Sequence, residues 1–459
     1  MAAYSYNTII KYKVIAECKT PLRIGSGSQD PEAILMDPVE GRPFVQASGI
    51  AGVFRNYCEA SYDQQIVDEL FGKRRVNENE KTEENGGRLK FSDGIFEKDS
   101  EFRMELRPRV SIDPVTGTCD SSMVKGTDRK SGHKFNIGYV SAGARFTFSV
   151  YLYDKEKKKI MEDLFSAMDQ GVILLGGQKS NGCGVIEIKH LWFKAFQMQE
   201  KEDRKLWYKE EELPEKAYKD IRSVLKAESK TGNAYEILLT GRTDGELLVK
   251  SLAVSGCGKD APDCENIRNG KGEYIVPGSS LKGAVRARME WIAKQLQKEE
   301  IPVEKLLEGA FGSKGNCGEQ GKTGNLLFYD TVVGNREEND RMPLSHRIHI
   351  DKFTGGVMHG GLFAEKNVAG NLSIQIAVRD KNDPDRTCGL LLLALRDLAI
   401  GAMSIGGGYN VGKGIIRAEK LTVKTKARSE AVIDFKTGKA ADKDQVIADC
   451  LTALREGRE

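Results

Sequence analysis

Hydrophobic and polar residues alternate over 10–18 and again over 235–242, the period expected of a strand with one buried face. A loop and a small-residue turn follow each. Helices are then predicted over 49–60 and 280–297, where Leu281, Val285, Met289 and Ile292 recur at helical spacing. Strands are predicted at 89–91, 146–153, 326–328 and 372–378. Second helices, at 160–169 and 390–401, precede a glycine-rich segment and a last strand, at 184–188 and 414–421. Strand, helix, strands, helix, strand is the order of a split βαβ unit, so the expected fold is α+β and ferredoxin-like rather than a doubly wound sheet.

The two series are copies of one pattern. Phe44 to Arg55 reappears as Ile275 to Arg286, with equivalent glycines at Gly52 and Gly283. Phe71-Gly72 matches Phe311-Gly312, and the strand ending in Asp93 matches the one ending in Asp330. Arg109 to Asp113 with Thr116-Gly117 matches Arg347 to Asp351 with Thr354-Gly355; Gly176 to Val185 matches Gly406 to Ile415. Five collinear matches indicate a duplicated domain of roughly two hundred residues, in keeping with a 459-residue chain that exceeds the ~250–300 residues of a single core. The expected division is 1–193 and 234–424 for the copies, 194–233 for a stretch crowded with Lys and Glu that fits a helical connector or a surface insertion with a solvated face, and 425–459 for a partly helical tail.

Composition changes this picture little. The 70 Lys and Arg against 67 Asp and Glu give a net charge of only +3, so total charge announces no polyanionic partner. No apolar run approaches the ~20 residues of a membrane span, and the opening residues lack an export signal, so a soluble, cytoplasmic protein is expected. Nine scattered cysteines form no disulfide framework and are expected as thiols. Cys257, Cys264 and Cys317 lack the close spacing of a zinc site, and zinc is not expected.

Two motifs carry candidate chemistry. Ser279-Ser280-Leu281-Lys282-Gly283 puts hydroxyls and backbone N–H groups at a helix N-terminus, which suits either a phosphate or an ordinary serine cap; Lys282 and Arg286 add charge. Copy one has Ser48 and Arg55 in equivalent places but Ala51 instead of Lys282. The glycine-rich segments, with Lys179 in copy one and Gly407, Gly408, Tyr409, Asn410 and Lys413 in copy two, admit close approach of a polyanion or serve simply as tight turns. Neither is a Walker loop or a dinucleotide fingerprint, so nucleotide hydrolysis is not expected.

The segment Pro277 to Arg286, Phe311-Gly312 with Asp330, His349 to Gly355, and the loop Ser404 to Gly414 resemble the RAMP superfamily of CRISPR-associated proteins, specifically the backbone subunits of type III effector complexes. The fused pair is similar to the double backbone subunit of the III-D branch. The resemblance implies two tandem ferredoxin-like domains, each with a projecting thumb, here Asp113 to about Phe135 and Asp351 to about Asn367, with apolar tips Met123-Val124 and Val357-Met358 to unstack bases. It implies guide RNA, single-stranded target RNA and other effector subunits as partners, with RNA contacts from Ser48, Arg55, Lys179, Ser279, Ser280, Lys282, Arg286, Gly407, Gly408, Tyr409, Asn410 and Lys413. It assigns target cleavage to an aspartate in the loop after the first strand: Asp30 in copy one, Asp260 in copy two, with Asp263 and Asp37 as alternatives. A divalent ion, Mg2+ or Mn2+, is the expected cofactor. Two other readings remain open: a non-catalytic guide scaffold, and a guide-processing endoribonuclease, against which the thumb signature in both copies counts.

Overall fold

The computed structural model describes residues 7–28, 30–73, 86–98, 103–113, 119, 121–123, 130–132, 134–209, 213–226, 232–251, 261–296, 303–313, 321–379, 381 and 383–456. The chain forms two compact units. The first draws on 1–104, 138–179 and 183–232, the second on 105–137, 180–182 and 233–459.

In the first unit the strand Thr8–Cys18 sits between Arg145–Leu152 and Ile186–Gln197, antiparallel to both, and Leu89–Phe91 pairs with Arg145–Leu152. The order last, first, third, second is that of a ferredoxin-like sheet. Alternation fixes the buried face: Tyr12 lies opposite Val150, Val14 opposite Phe148 and Ala16 opposite Phe146, all buried. The helices Ala47–Ser61 and Lys158–Asp169 cover that face through Ile50, Phe54, Leu164 and Phe165. Phe54 meets the Phe165 ring edge-on at 5.9 Å.

The second unit repeats the plan. Asn233–Asp244 lies between Asn371–Arg379 and Ile415–Lys424, and Leu326–Phe328 pairs with Asn371–Arg379. The helices Gly278–Leu296 and Pro384–Ala399 bury Leu281, Val285, Leu391 and Leu395 against Ile237, Leu239, Ile374 and Ile376. The expected α+β, ferredoxin-like tandem is what the chain forms.

The boundaries fall elsewhere than the local pattern placed them. The last strand of copy one runs on to Gln197, because Leu191, Phe193 and Ala195 continue to face the core beyond a bulge opposite Ile15 and Ala16. Much of the charged stretch 194–233 folds onto the first unit: Lys219–Asp220 adds an edge strand and Ile221 and Leu225 are buried, so its charge marks an outer face rather than a free connector. Residues 425–456 likewise extend the second unit. Ala431–Asp434 and Lys439–Ala441 add two strands to its sheet, and Val446–Glu456 packs on Pro384–Ala399 through Val446 and Cys450. Among the described residues no helix is long and apolar enough to cross a membrane.

Candidate nucleic-acid interface

The recurrent aspartate at the end of the second strand caps the helix before it. Asp93 Oδ1 accepts the Ala47 N–H at 2.6 Å and Asp330 Oδ1 accepts the Gly278 N–H at 2.9 Å. An internal carboxylate thus holds the first backbone donor of each helix, where the dipole favours negative charge. The N–H groups expected to meet a phosphate are therefore partly used by the protein itself. Asp93→Ala removes only this cap, and we expect a loss of about 1 kcal/mol, read from the urea midpoint of the first unit.

Asp330 does more than cap. Its Oδ2 accepts from Arg107 Nη1 at 2.6 Å, and Arg107, 4% exposed, also donates to Glu105 Oε2 at 2.9 and 2.8 Å. Glu105 Oε1 in turn accepts the Gly270 N–H at 2.6 Å. Residues 105–137, in sequence the excursion of copy one, are tied into the second unit through this network.

Beside that helix start lies a group of cations. Lys282 Nζ donates to Ser180 Oγ at 2.9 Å, while Ser279 and Ser280 are half-buried next to it. Burial, then the charges of Arg286 and Arg109, bring Lys282 down to about 8. Arg286 is exposed, its guanidinium 5.7 Å from the centre of the Phe311 ring. A lysine whose charge is disfavoured by burial and by two neighbouring guanidinium groups fits an anion such as a phosphate. Copy one lacks an equivalent: Ala51 replaces Lys282, Arg55 pairs with Glu59 at 3.0 Å on its own helix, and Ser48 is exposed. Lys179 is half-buried within the copy-one glycine segment.

The glycine-rich loops serve the protein's own backbone first. Gly177 N–H donates to Arg23 O and Gly407 N–H to Leu248 O, at 2.9 and 2.8 Å, so each loop docks on the loop after the first strand. At Gly184 and Gly414, both at positive φ, a Cβ would lie 1.9 Å from Leu175 O and 2.0 Å from Ile405 O, which only glycine avoids. Gly407 and Gly408 are half-buried, while Tyr409 and Asn410 are exposed. Lys413 differs from its expected role. It is buried, with Nζ 2.7 Å from Glu365 Oε2 and 3.2 Å from Glu246 Oε2. Its charge is therefore satisfied internally, tying the glycine loop to the strand Val357–Lys366. Burial would raise Glu365, but the Lys413 hydrogen bond and charge, with Arg347, hold it below the usual range.

The loop aspartates separate into distinct situations. Asp30 is exposed, and its Oδ1 accepts the Glu32 N–H at 2.8 Å. Asp37 makes the expected turn, with Oδ1 accepting from Val39 and Glu40, both at 2.8 Å, which lowers its pKa. Asp263 clamps the strand Val357–Lys366, exchanging N–H···O bonds with Ala364 through its backbone N–H and its carboxylate. Asp260 lies outside the described residues. Among the described residues no group of three or more His, Cys, Asp or Glu side chains comes together. Cys264 is half-buried with its Sγ 3.8 Å from Glu365, and Cys257 and Cys317 lie outside the described residues.

The copy-two excursion is a hairpin of Ser345–Ile350 and Val357–Lys366. Asp351 Oδ1 organises its turn, accepting from Phe353 N–H at 2.9 Å, Thr354 N–H at 2.8 Å and Thr354 Oγ at 3.1 Å. Val357 and Met358 begin the returning strand, both exposed, while Phe353 stands at the turn, 98% exposed. Sequence reasoning missed Phe353; the signal was an aromatic inside a turn held by an aspartate two residues earlier. Ile348, Ile350 and Leu362 are also exposed, as are Val110 and Ile112 at the positions of copy one equivalent to Ile348 and Ile350. Ser121–Met123 pairs with Lys130–Gly132 in copy one; Val124 lies outside the described residues.

Two ferredoxin-like copies that repeat a carboxylate-capped helix, a docked glycine loop and an apolar excursion define a tandem α+β protein built by duplication. The profile of the RAMP superfamily matches residues 15–187 and 255–417, most of both copies, and the chain belongs to that superfamily. No curated protein matches it. Among solved structures it is similar to a chain of the type III-B Cmr-beta bound to cognate target RNA, studied by cryo-electron microscopy, at 20% identity and a TM-score of 0.30. The match covers 40% of this chain and 61% of that one. The two thus align over about three fifths of the relative's length.

Proposed function

We propose that this chain is a guide-RNA-binding backbone subunit of a type III CRISPR effector complex, working with other effector subunits and cutting the paired target RNA with one aspartate per copy. The observation that carries the RNA reading is the group Lys282, Arg286 and Arg109 beside Ser180, a seat for a backbone phosphate at the start of the helix Gly278–Leu296. Family membership and the exposed apolar row from Ile348 to Leu362, with Phe353 at its turn, support it. Apolar and aromatic side chains standing away from a core suit the unstacking of single-stranded bases.

Cleavage needs little from the protein beyond alignment. A kinked ribose places its 2′-oxygen in line with the adjacent phosphorus; the O2′–P bond forms, the P–O5′ bond breaks, and a cyclic phosphate and a 5′-hydroxyl result. Asp30, whose Oδ1 is engaged by Glu32, has Oδ2 to accept the 2′-proton, while solvent protonates the leaving oxygen. A Mg2+ or Mn2+ ion held by Asp30 would supply positive charge against the scissile phosphate. DNA, which lacks the hydroxyl, is spared. In the second copy Asp263 already holds Ala364, which leaves Asp260 as the cleavage candidate.

The experiment follows RNA affinity against salt and pH. A linear fall of log affinity with log salt is expected, and a flat response overturns the reading. Lys282 is charged below about 8 and neutral above it, and a bound phosphate raises its pKa, so affinity should fall as pH rises through that value. The loss expected by pH 9.5, where ordinary lysines stay charged, is about tenfold at most, and Lys282→Arg should abolish the pH dependence.

A further inference from the structure

Cys388 and Cys450 are both fully buried in the core of the second unit and are free thiols. They come from different elements, the helix Pro384–Ala399 and the helix Val446–Glu456. Gly389 lets these helices approach backbone to backbone: a Cβ there would lie 2.2 Å from the Cys450 carbonyl oxygen. Thus the residue next to Cys388 touches the backbone of Cys450 itself. The thiols meet as well, Cys388 donating a hydrogen bond to Cys450. Backbones this close are compatible with the ~4.4–6.8 Å Cα separation that a disulfide requires.

We propose that Cys388 and Cys450 form a reversible intramolecular disulfide that fastens the helix Val446–Glu456 to the helix Pro384–Ala399 when the protein meets a low-molecular-weight disulfide oxidant. The resting form keeps both thiols reduced, as the structure has them. Cys450 is the attacking sulfur, since the hydrogen bond from Cys388 lowers its pKa, while burial pushes Cys388 up. The Cys450 thiolate displaces one thiol from the oxidant to give a mixed disulfide. Cys388 then loses its proton to solvent and attacks the Cys450 sulfur, releasing the second thiol. In sum, two protein S–H groups and one R–S–S–R become one protein disulfide and two R–SH.

Because both sulfurs are buried, the reaction passes through brief opening of the helix Val446–Glu456, a short element on the surface of the unit. The bond then adds a crosslink across the fold. Beside it Tyr235 OH donates to Asp385 at 2.6 Å, so the first strand is anchored at the same place.

The test uses the full chain in native buffer with oxidised glutathione, followed by unfolding, alkylation and peptide mapping. A linked peptide carrying Cys388 and Cys450, lighter by two hydrogens and lost on reduction, is expected. Cys119, which is exposed, reports that the oxidant is active. Both Cys388 and Cys450 alkylated after Cys119 has been glutathionylated would overturn the proposal, as would glutathione left on Cys450 without closure. In Cys388→Ser the linked peptide disappears and the mixed disulfide accumulates on Cys450; wild-type mapping stands by itself if that variant fails to fold.

Discussion

Asp330→Ala is expected to destabilise the second unit by about 3–5 kcal/mol, several times the loss expected from the equivalent change at Asp93. Both aspartates cap a helix, but only Asp330 also pairs with Arg107, 2.6 Å away and nearly inaccessible to water. Its removal takes one carboxylate from a buried guanidinium that still holds Glu105 and leaves the Gly278 N–H without its cap. Urea denaturation, with hydrogen exchange over Gly278–Leu296 to locate the effect, measures the loss. If the loss runs through Arg107, the double change Asp330→Ala with Arg107→Ala should cost less than the sum of the two single changes. Equal losses at Asp93 and Asp330 would show that Arg107 adds nothing beyond the cap.

Asp30→Ala, in the assembled complex with guide RNA, is expected to slow one target cut by about 10²–10⁴-fold and to leave guide binding unchanged. Asp30→Asn is the sharper variant, for its side-chain oxygen still accepts the Glu32 N–H and keeps the turn, yet it carries no charge. Sizing the products of labelled target separates the outcomes. One missing product with the others intact assigns Asp30 to that cut; an unaltered ladder with Asp30→Asn removes it from the chemistry. Changing Asp260 and Asp263 singly should show loss of a second product only for Asp260, since Asp263 is engaged in holding the strand Val357–Lys366.

The architecture was legible because it is written in short-range periods. Alternation at Tyr12, Val14 and Ala16 and helical spacing at Leu281, Val285 and Met289 reflect which face each element buries, and the observed strands and helices follow them. The duplication was visible for the same reason, since equivalent elements keep equivalent patterns. What stayed open was the reading of charge, which fits a helical connector or a surface insertion with a solvated face. The stretch 194–233 reads as a connector because its few apolar residues, Ile221 and Leu225 among them, are outnumbered, though they are the ones that pack.

The amino-acid sequence alone determined the two ferredoxin-like copies, their order of elements and their membership motifs. Tertiary structure alone decided which candidate residues have anything left to offer a ligand. Lys413 is spent on Glu365, 48 residues away, Asp330 on Arg107, 223 residues away, while Lys282 meets Ser180 across 102 residues. A residue's type sets what it can bind, but its partners come from distant segments brought together by burial, and no local pattern encodes that meeting.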